Sequence, residues 1–129
     1  MKVALVTGSS RGIGLATALE LARSGFGVAV NAPTADSELD AALGAVKATG
    51  GVAMAAPFDV ADISAHEAAL ARIEAELGPL TTLVNNAGVA DNGNFHEFSD
   101  DQLANIMDTN FNAPFRIARE AIKPMLAKG

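Results

Sequence analysis

The octapeptide Thr7-Gly8-Ser9-Ser10-Arg11-Gly12-Ile13-Gly14 directly follows the apolar run Val3-Ala4-Leu5-Val6 and leads into a helical pattern. A strand, a glycine-rich turn and a helix start, in that order, make a site for a phosphate-bearing ligand. The helix start offers unpaired N–H groups and a positive dipole end, and glycine lets the backbone approach a pyrophosphate closely. The spacing is Gly-x-x-x-Gly-x-Gly rather than Gly-x-Gly-x-x-Gly, so the turn is longer. A lone match of this kind often marks a plain structural turn; the strand–turn–helix context favours a cofactor. Ser9 and Ser10 have no base nearby in sequence and read as donors to phosphate oxygens, not as nucleophiles.

Three further places carry polar chemistry. Asp59-Val60 reads, taken alone, as a turn leading into a helix. A carboxylate there could equally accept a hydrogen bond from an adenine amino group while a backbone N–H reads the ring. In Asn85-Asn86-Ala87-Gly88 the two amides can tie neighbouring strands together, and Ala87 and Gly88 are small enough for a flat ligand to lie on the backbone. A simple Asx turn is the alternative. Asn110 falls within the stripe Leu103, Ile106, Met107, Pro114 and Ile117 on what reads as the core-facing side of the last helix. Pro114, four residues on, has no N–H, so the Asn110 carbonyl loses its helical partner and could hold a water. A buried asparagine beside a proline kink would look the same. His66, in the first turn of a helix, and His96, in a polar loop, read as solvated, and no spacing suggests a metal site.

These residues need a frame, and the frame is an alternation. Strands are expected at Val3–Val6, Gly27–Asn31, Val52–Ala56 and Leu80–Val84. Between them run helical stripes: Ile13, Leu15, Ala18, Leu19 and Ala22; Leu39, Leu43 and Val46; Leu70, Ile73 and Leu77. Ser64-Ala65-His66-Glu67 and Ser99-Asp100-Asp101-Gln102 have the form of capping boxes, the second opening a helix that runs almost to Gly129. Such repetition predicts a doubly wound parallel sheet with helices on both faces, whose ligand sits beyond the carboxyl ends of the strands. Gly8–Gly14, Asn31-Ala32, Asp59-Val60 and Asn86-Ala87-Gly88 all fall at such ends.

Composition bounds the rest. The 129 residues suit one domain, and at 50% hydrophobic residues the chain is not a disordered one. A net charge of −6 argues against general nucleic-acid binding, and the lack of cysteine removes disulfides and thiolate metal sites. No apolar stretch nears membrane-spanning length, and Met1-Lys2-Val3 passes at once into a strand, leaving no room for a signal peptide; a cytoplasmic protein is expected.

Together the motifs resemble the short-chain dehydrogenase/reductase family, over the whole chain, and among its subgroups the 3-oxoacyl-(acyl-carrier-protein) reductases. The resemblance makes Gly8, Ser9, Ser10, Arg11, Gly12, Ile13 and Gly14 the cofactor-binding turn, and Asp59 and Val60 the adenine contact. It sets Asn86, Ala87 and Gly88 on the adenosine side and gives Asn110 a place in the catalytic tetrad, holding a water of the proton relay. Asn31 and Ala32 close the cofactor-binding set. A carboxylate at the end of the second strand would grip the ribose and repel a 2′-phosphate. Val30-Asn31-Ala32-Pro33 has none, and Arg11 is a basic residue of the kind NADP-using members carry, so NADP(H) is favoured over NAD(H). The implied activity is hydride transfer between NADP(H) and a carbonyl or secondary alcohol, with a 3-oxoacyl thioester among the substrates.

The chain departs from the family in one respect. The tetrad's serine, tyrosine and lysine belong to a fifth strand and the helix after it, and this sequence contains no Tyr. Residues 1–129 therefore read as the dinucleotide-binding domain without the catalytic half, inactive alone, with the strand order 3-2-1-4 leaving the fourth strand at an edge. The complete protein is expected to form a dimer or tetramer through the last helix. A non-catalytic nucleotide-binding module, or a fragment that completes its sheet on a partner chain, are the competing readings.

Overall fold

Val3–Val6 form β1, and all of them are buried, as befits a strand that is apolar on both faces. In the computed structural model, which describes residues 1–128, β1 pairs in parallel with β2 (Gly27–Val30) on one side and β4 (Thr82–Val84) on the other. β3 (Ala53–Ala55) adds outside β2, giving the order β3-β2-β1-β4 that the sequence predicts. The helices are α1 (Gly12–Arg23), α2 (Ser37–Lys47), α3 (His66–Leu77), α4 (Asp100–Met107) and α5 (Ala113–Lys128). Gly129, where the sequence reading ends the last helix, lies outside the described residues.

Alternation along the strands divides the core into two layers. Val3, Leu5, Ala29 and Met54 pack toward Ile73 of α3 and Ile117 and Ala121 of α5. Val6, Val28 and Val30 pack toward Ala18 and Ala22 of α1 and Leu39 and Val46 of α2. Burying a side chain such as Leu5, Ile73 or Ile117 contributes about 1.5–3 kcal/mol, which is what holds the helices against the sheet. β4 has a strand neighbour only in β1 among the described residues, and its side chains are half-buried.

Several expectations are corrected. The last helix is interrupted: Asp108–Asn112 winds as a π-helix between α4 and α5, with the Ala113 N–H bonded to the Asp108 carbonyl. The slip falls immediately before Pro114, whose ring would press on the carbonyl four residues back. It moves the core-facing row, so that Thr109 is buried while Asn110, Leu103 and Met107 are exposed. Ile13 also points outward, 79% exposed. The Ser99 capping box forms as expected, Ser99 Oγ accepting from the Gln102 N–H and Gln102 Oε1 from the Ser99 N–H. The Ser64 box does not. Asp62 caps there instead, accepting from both the N–H and the hydroxyl of Ser64, and a 3-10 turn (Ile63–Ala65) precedes α3. His66, expected in solvent, is 1% exposed.

Candidate functional site

Beneath the strand ends lies a layer of buried polar side chains. Ser9 is fully buried: its hydroxyl donates to the Val6 carbonyl (2.7 Å) and accepts from the Asn31 N–H (2.8 Å). The expectation that this hydroxyl meets a phosphate is overturned, because both of its bonds are spent inside the fold. Asn31 likewise turns inward. Its Oδ1 accepts from the Gly8 N–H (2.9 Å), and its Nδ2 donates to the carbonyls of Ala56 (2.8 Å) and Phe58 (3.1 Å). One side chain thus ties the ends of β1, β2 and β3.

Asn86 does the same for β1 and β4. Its Nδ2 donates to the Thr7 and Gly8 carbonyls at 3.2 and 3.1 Å, while the N–H groups of Asn86 and Ala87 both reach Thr7 Oγ1 at 3.0 Å. Asn85 Nδ2 donates to the Pro114 carbonyl at the start of α5 (3.3 Å). The strand-tying role read from these amides is thus performed by Asn86, whereas Asn85 ties the end of β4 to α5 instead.

The glycine turn is shaped by this contact. A Cβ on Gly14 would lie 2.3 Å from the Gly8 carbonyl oxygen and 2.4 Å from Asn86 Nδ2, and one on Gly8 would lie 2.8 Å from Ala87 Cα. Gly8 and Gly12 also hold φ near +60°, where a side chain is strained. α1 then begins with no side-chain cap and no acid in its first turn. By contrast, α2 is capped by Asp36 and α4 by Ser99, and both carry acids in the first turn. The start of α1 is the one left open to an anion among these three.

Above this layer is a cavity of about 730 Å³, lined from the glycine turn by Gly8, Ser10 and Arg11. Ala32, Pro33 and the α2 start (Asp36, Ser37, Glu38) form one side; Phe58, Asp59, Val60 and Ala61 another; Asn86 to Val89 with Asn105 and Thr109 the rest. Asn31 reaches the lining from below. Of the residues expected at the site, Ser9, Gly12, Ile13, Gly14 and Asn110 are outside the lining, Gly14 because it is packed on Gly8, and Ile13 because it lies in a shallow groove on the outer face of α1. Asp59 serves its turn, accepting from the Ala61 N–H at 2.9 Å, and still faces the cavity.

Glu38 was not expected here. Its Oε1 accepts from Ser10 Oγ at 2.9 Å and lies 3.9 Å from Arg11 Nε. The stretch Val30–Pro33 is free of acid, but α2 brings a carboxylate to the glycine turn from five residues beyond Pro33. Its position in the first turn of a helix that starts beside the strand ends is the signal that could have found it. Asp36, Phe58, Ala61 and Val89 also line the cavity without being expected there, as do Asn105 and Thr109, four apart along the last helical arm.

Asn110 adjoins the cavity through its neighbours. Its Oδ1 accepts from the Val89 N–H (2.8 Å) and its Nδ2 donates to the Val89 carbonyl (2.7 Å), so the amide clamps the loop after β4. The side chain is thereby occupied. His96 is exposed, and among the described residues no cluster of metal-ligating side chains occurs. No described helix is long and apolar enough to cross a membrane.

The cavity, the open helix start and the close-packed glycines fit a dinucleotide: its size lies in the range of cofactor sites, and the uncapped, acid-free start of α1 stands at its edge, where a pyrophosphate would lie. Comparison with known proteins agrees. The chain is 42% identical over 126 residues to the gluconate 5-dehydrogenase of Gluconobacter oxydans, covering 98% of this chain and 49% of that enzyme. It is 35% identical over 125 residues to the 3-oxoacyl-[acyl-carrier-protein] reductase of Staphylococcus aureus, covering 97% and 51%. An actinorhodin polyketide ketoreductase solved with NADPH superposes with a TM-score of 0.93 at 33% identity, covering 98% of this chain and 49% of that one. The chain thus spans about half the length of the curated relatives it matches. The family profile described as short chain dehydrogenase matches residues 2–129, and the chain belongs to that family of oxidoreductases.

Proposed function

We propose that residues 1–129 are the dinucleotide-binding domain of an NADP(H)-dependent reductase that interconverts a carbonyl and a secondary alcohol. The observation that carries this reading is the uncapped, acid-free start of α1 at the edge of the cavity, behind a turn whose glycines permit close approach. The nicotinamide supplies the hydride when bound; the residues of this chain bind and orient. Gly8 and Ser10, with the N–H groups of Gly12, Ile13 and Gly14, take the pyrophosphate, and Arg11 takes the 2′-phosphate. Ala32, Asp59 and Val60 flank the adenine, and Asn86, Ala87 and Gly88 the adenosine side. Ser9 and Asn31 act from beneath, by holding the strand ends. Asn110 contributes its main-chain carbonyl to the proton relay while its side chain fixes Val89. With no Tyr in the sequence, the proton donor must come from outside these residues, and they alone should not turn over substrate.

The choice of NADP(H) rests on Arg11, exposed on the glycine turn, and on the acid-free exit from β2. Binding of NADPH and NADH, followed by nicotinamide fluorescence, tests it. NADPH should bind more tightly, and Arg11→Ala should weaken it roughly tenfold while leaving NADH within about twofold, the size of one charge-assisted bond. Tighter binding of NADH by the unaltered protein would sink the choice.

For substrate we propose a 3-oxoacyl thioester. The 42% identity to a gluconate 5-dehydrogenase favours a second reading, a keto sugar acid. Initial rates of NADPH oxidation with an acetoacetyl thioester and with a keto sugar acid separate the two. The intact mass of the cellular protein comes first: a value near twice that encoded here supplies the missing half, and a value matching 129 residues ends the catalytic reading. We further propose a cytoplasmic homo-oligomer, without nucleic-acid or membrane partners. The support is the net charge of −6 and the outward row Leu103, Met107, Phe111 and Phe115 along the last helix.

A further inference from the structure

Two buried side chains hold alternate carbonyls of the segment that leaves β3. Asn31 takes those of Ala56 and Phe58. His66, the first residue of α3, takes the next, its Nε2 lying 2.7 Å from the Val60 oxygen. A carbonyl only accepts, so Nε2 carries a proton, and in the neutral ring Nδ1 is then a bare acceptor. That Nδ1 is buried and meets no donor among the described residues.

A buried acceptor without a donor opposes folding, and native proteins keep few of them. An aliphatic side chain beside Phe58, whose ring the imidazole meets edge-on, would avoid it. What the imidazole does that an aliphatic residue cannot is hold Val60. The other bonds of this stretch are internal: Ala61 N–H to Asp59 Oδ1, and Asp62 N–H to the Asp59 carbonyl. They shape the turn without fastening it. Beyond Phe58, the His66 bond is the hydrogen bond that joins residues 59–61 to another element among the described residues.

We propose that His66 is a positioning residue for the adenosine end of the cavity, fixing the wall from Phe58 to Ala61 through the Val60 carbonyl without touching the ligand. This rests on the nucleotide-binding reading above. The test uses the full-length protein, with NADPH and 2′,5′-ADP as probes, in three variants with thermal melts alongside. His66→Leu removes the donor and the orphan nitrogen together. His66→Gln can still present an N–H at the reach of Nε2, and His66→Asn is as polar but too short.

The Leu and Asn variants should weaken both probes by the same factor, roughly five- to tenfold, the size of one net hydrogen bond. The Gln variant should stay within about twofold of the unaltered protein on the same scale. Should the Leu variant fail to fold, the Gln and Asn pair decides alone. Unchanged affinity in the Asn variant overturns the inference. So does a loss confined to NADPH and absent for 2′,5′-ADP, or a Gln variant as weak as Asn. An unaltered protein that binds neither probe overturns the nucleotide reading and this inference with it; the other three outcomes overturn this inference alone.

Discussion

The strand ends and the long helical arm are built in opposite ways. At the strand ends nearly every polar atom is engaged: Thr7, Ser9, Asn31 and Asn86 bind one another's backbone across all four strands of the sheet. Along the outer face of α4, the π segment and α5 the row Leu103, Met107, Phe111 and Phe115 is apolar and exposed, Phe111 to 64% and Phe115 to 62%, with only the Arg119 guanidinium over the Phe115 ring. The first region is specified by hydrogen bonds, where an unmet partner is costly and geometry is therefore strict. The second is specified on one side by packing against the sheet and presents the other as an unfilled surface. Rigid positioning of a ligand asks for the first kind of construction, and association for the second.

Substitutions can break this comparison or sharpen it. The largest effect is expected at Gly14→Ala, whose Cβ would meet the Gly8 carbonyl and Asn86 at 2.3 and 2.4 Å, atoms that are themselves held in place. No folded protein should be recovered, whereas Gly12→Ala, strained in φ but with nothing within 4 Å, should fold with a loss of about 1–2 kcal/mol in denaturant titration. Equal melting temperatures for the two would remove the claim of close packing. Next is Asn31→Asp. A carboxylate keeps the acceptor for Gly8 but cannot donate to Ala56 and Phe58, so a loss of about 2–4 kcal/mol is expected from urea unfolding. The smallest change in stability belongs to Phe115→Asp, within about 0.5 kcal/mol because the site is exposed. Its effect should appear instead in sedimentation, as a shift of the full-length protein toward monomer. If it destabilises as much as Asn31→Asp, the arm is not the free surface described.

The same contrast decides what was legible in the sequence. β1 is read to the residue, and the strand order follows from the alternation, because buried parallel strands are apolar throughout. Most residues gathered at the strand ends are legible from the sequence, but the direction in which some of them face is not. Ser9 and Asn31 look like ligand contacts in a one-dimensional reading and are struts in the fold, since facing is set by partners from other strands. His66 looks solvated because it starts a helix, and only the neighbouring Phe58 and Val60 show it to be interior. Leu103 and Met107 form an apolar stripe that periodicity reads as core, although α4 buries none of its residues. Period reports that a face is apolar, not that something covers it.

The π segment has a geometrical consequence for the arm. In an α-helix a row of residues four apart drifts by about 40° per step, so the row Asn105, Thr109, Ala113, Ile117, Ala121 would wind through roughly 160°. One extra residue in the winding takes back about 100° of that drift. A single line of side chains therefore begins on the cavity wall at Asn105 and Thr109 and ends against the sheet at Ala113, Ile117 and Ala121. The slip before Pro114 acts as a phase correction, by which one shaft serves the ligand at its upper end and the core at its lower.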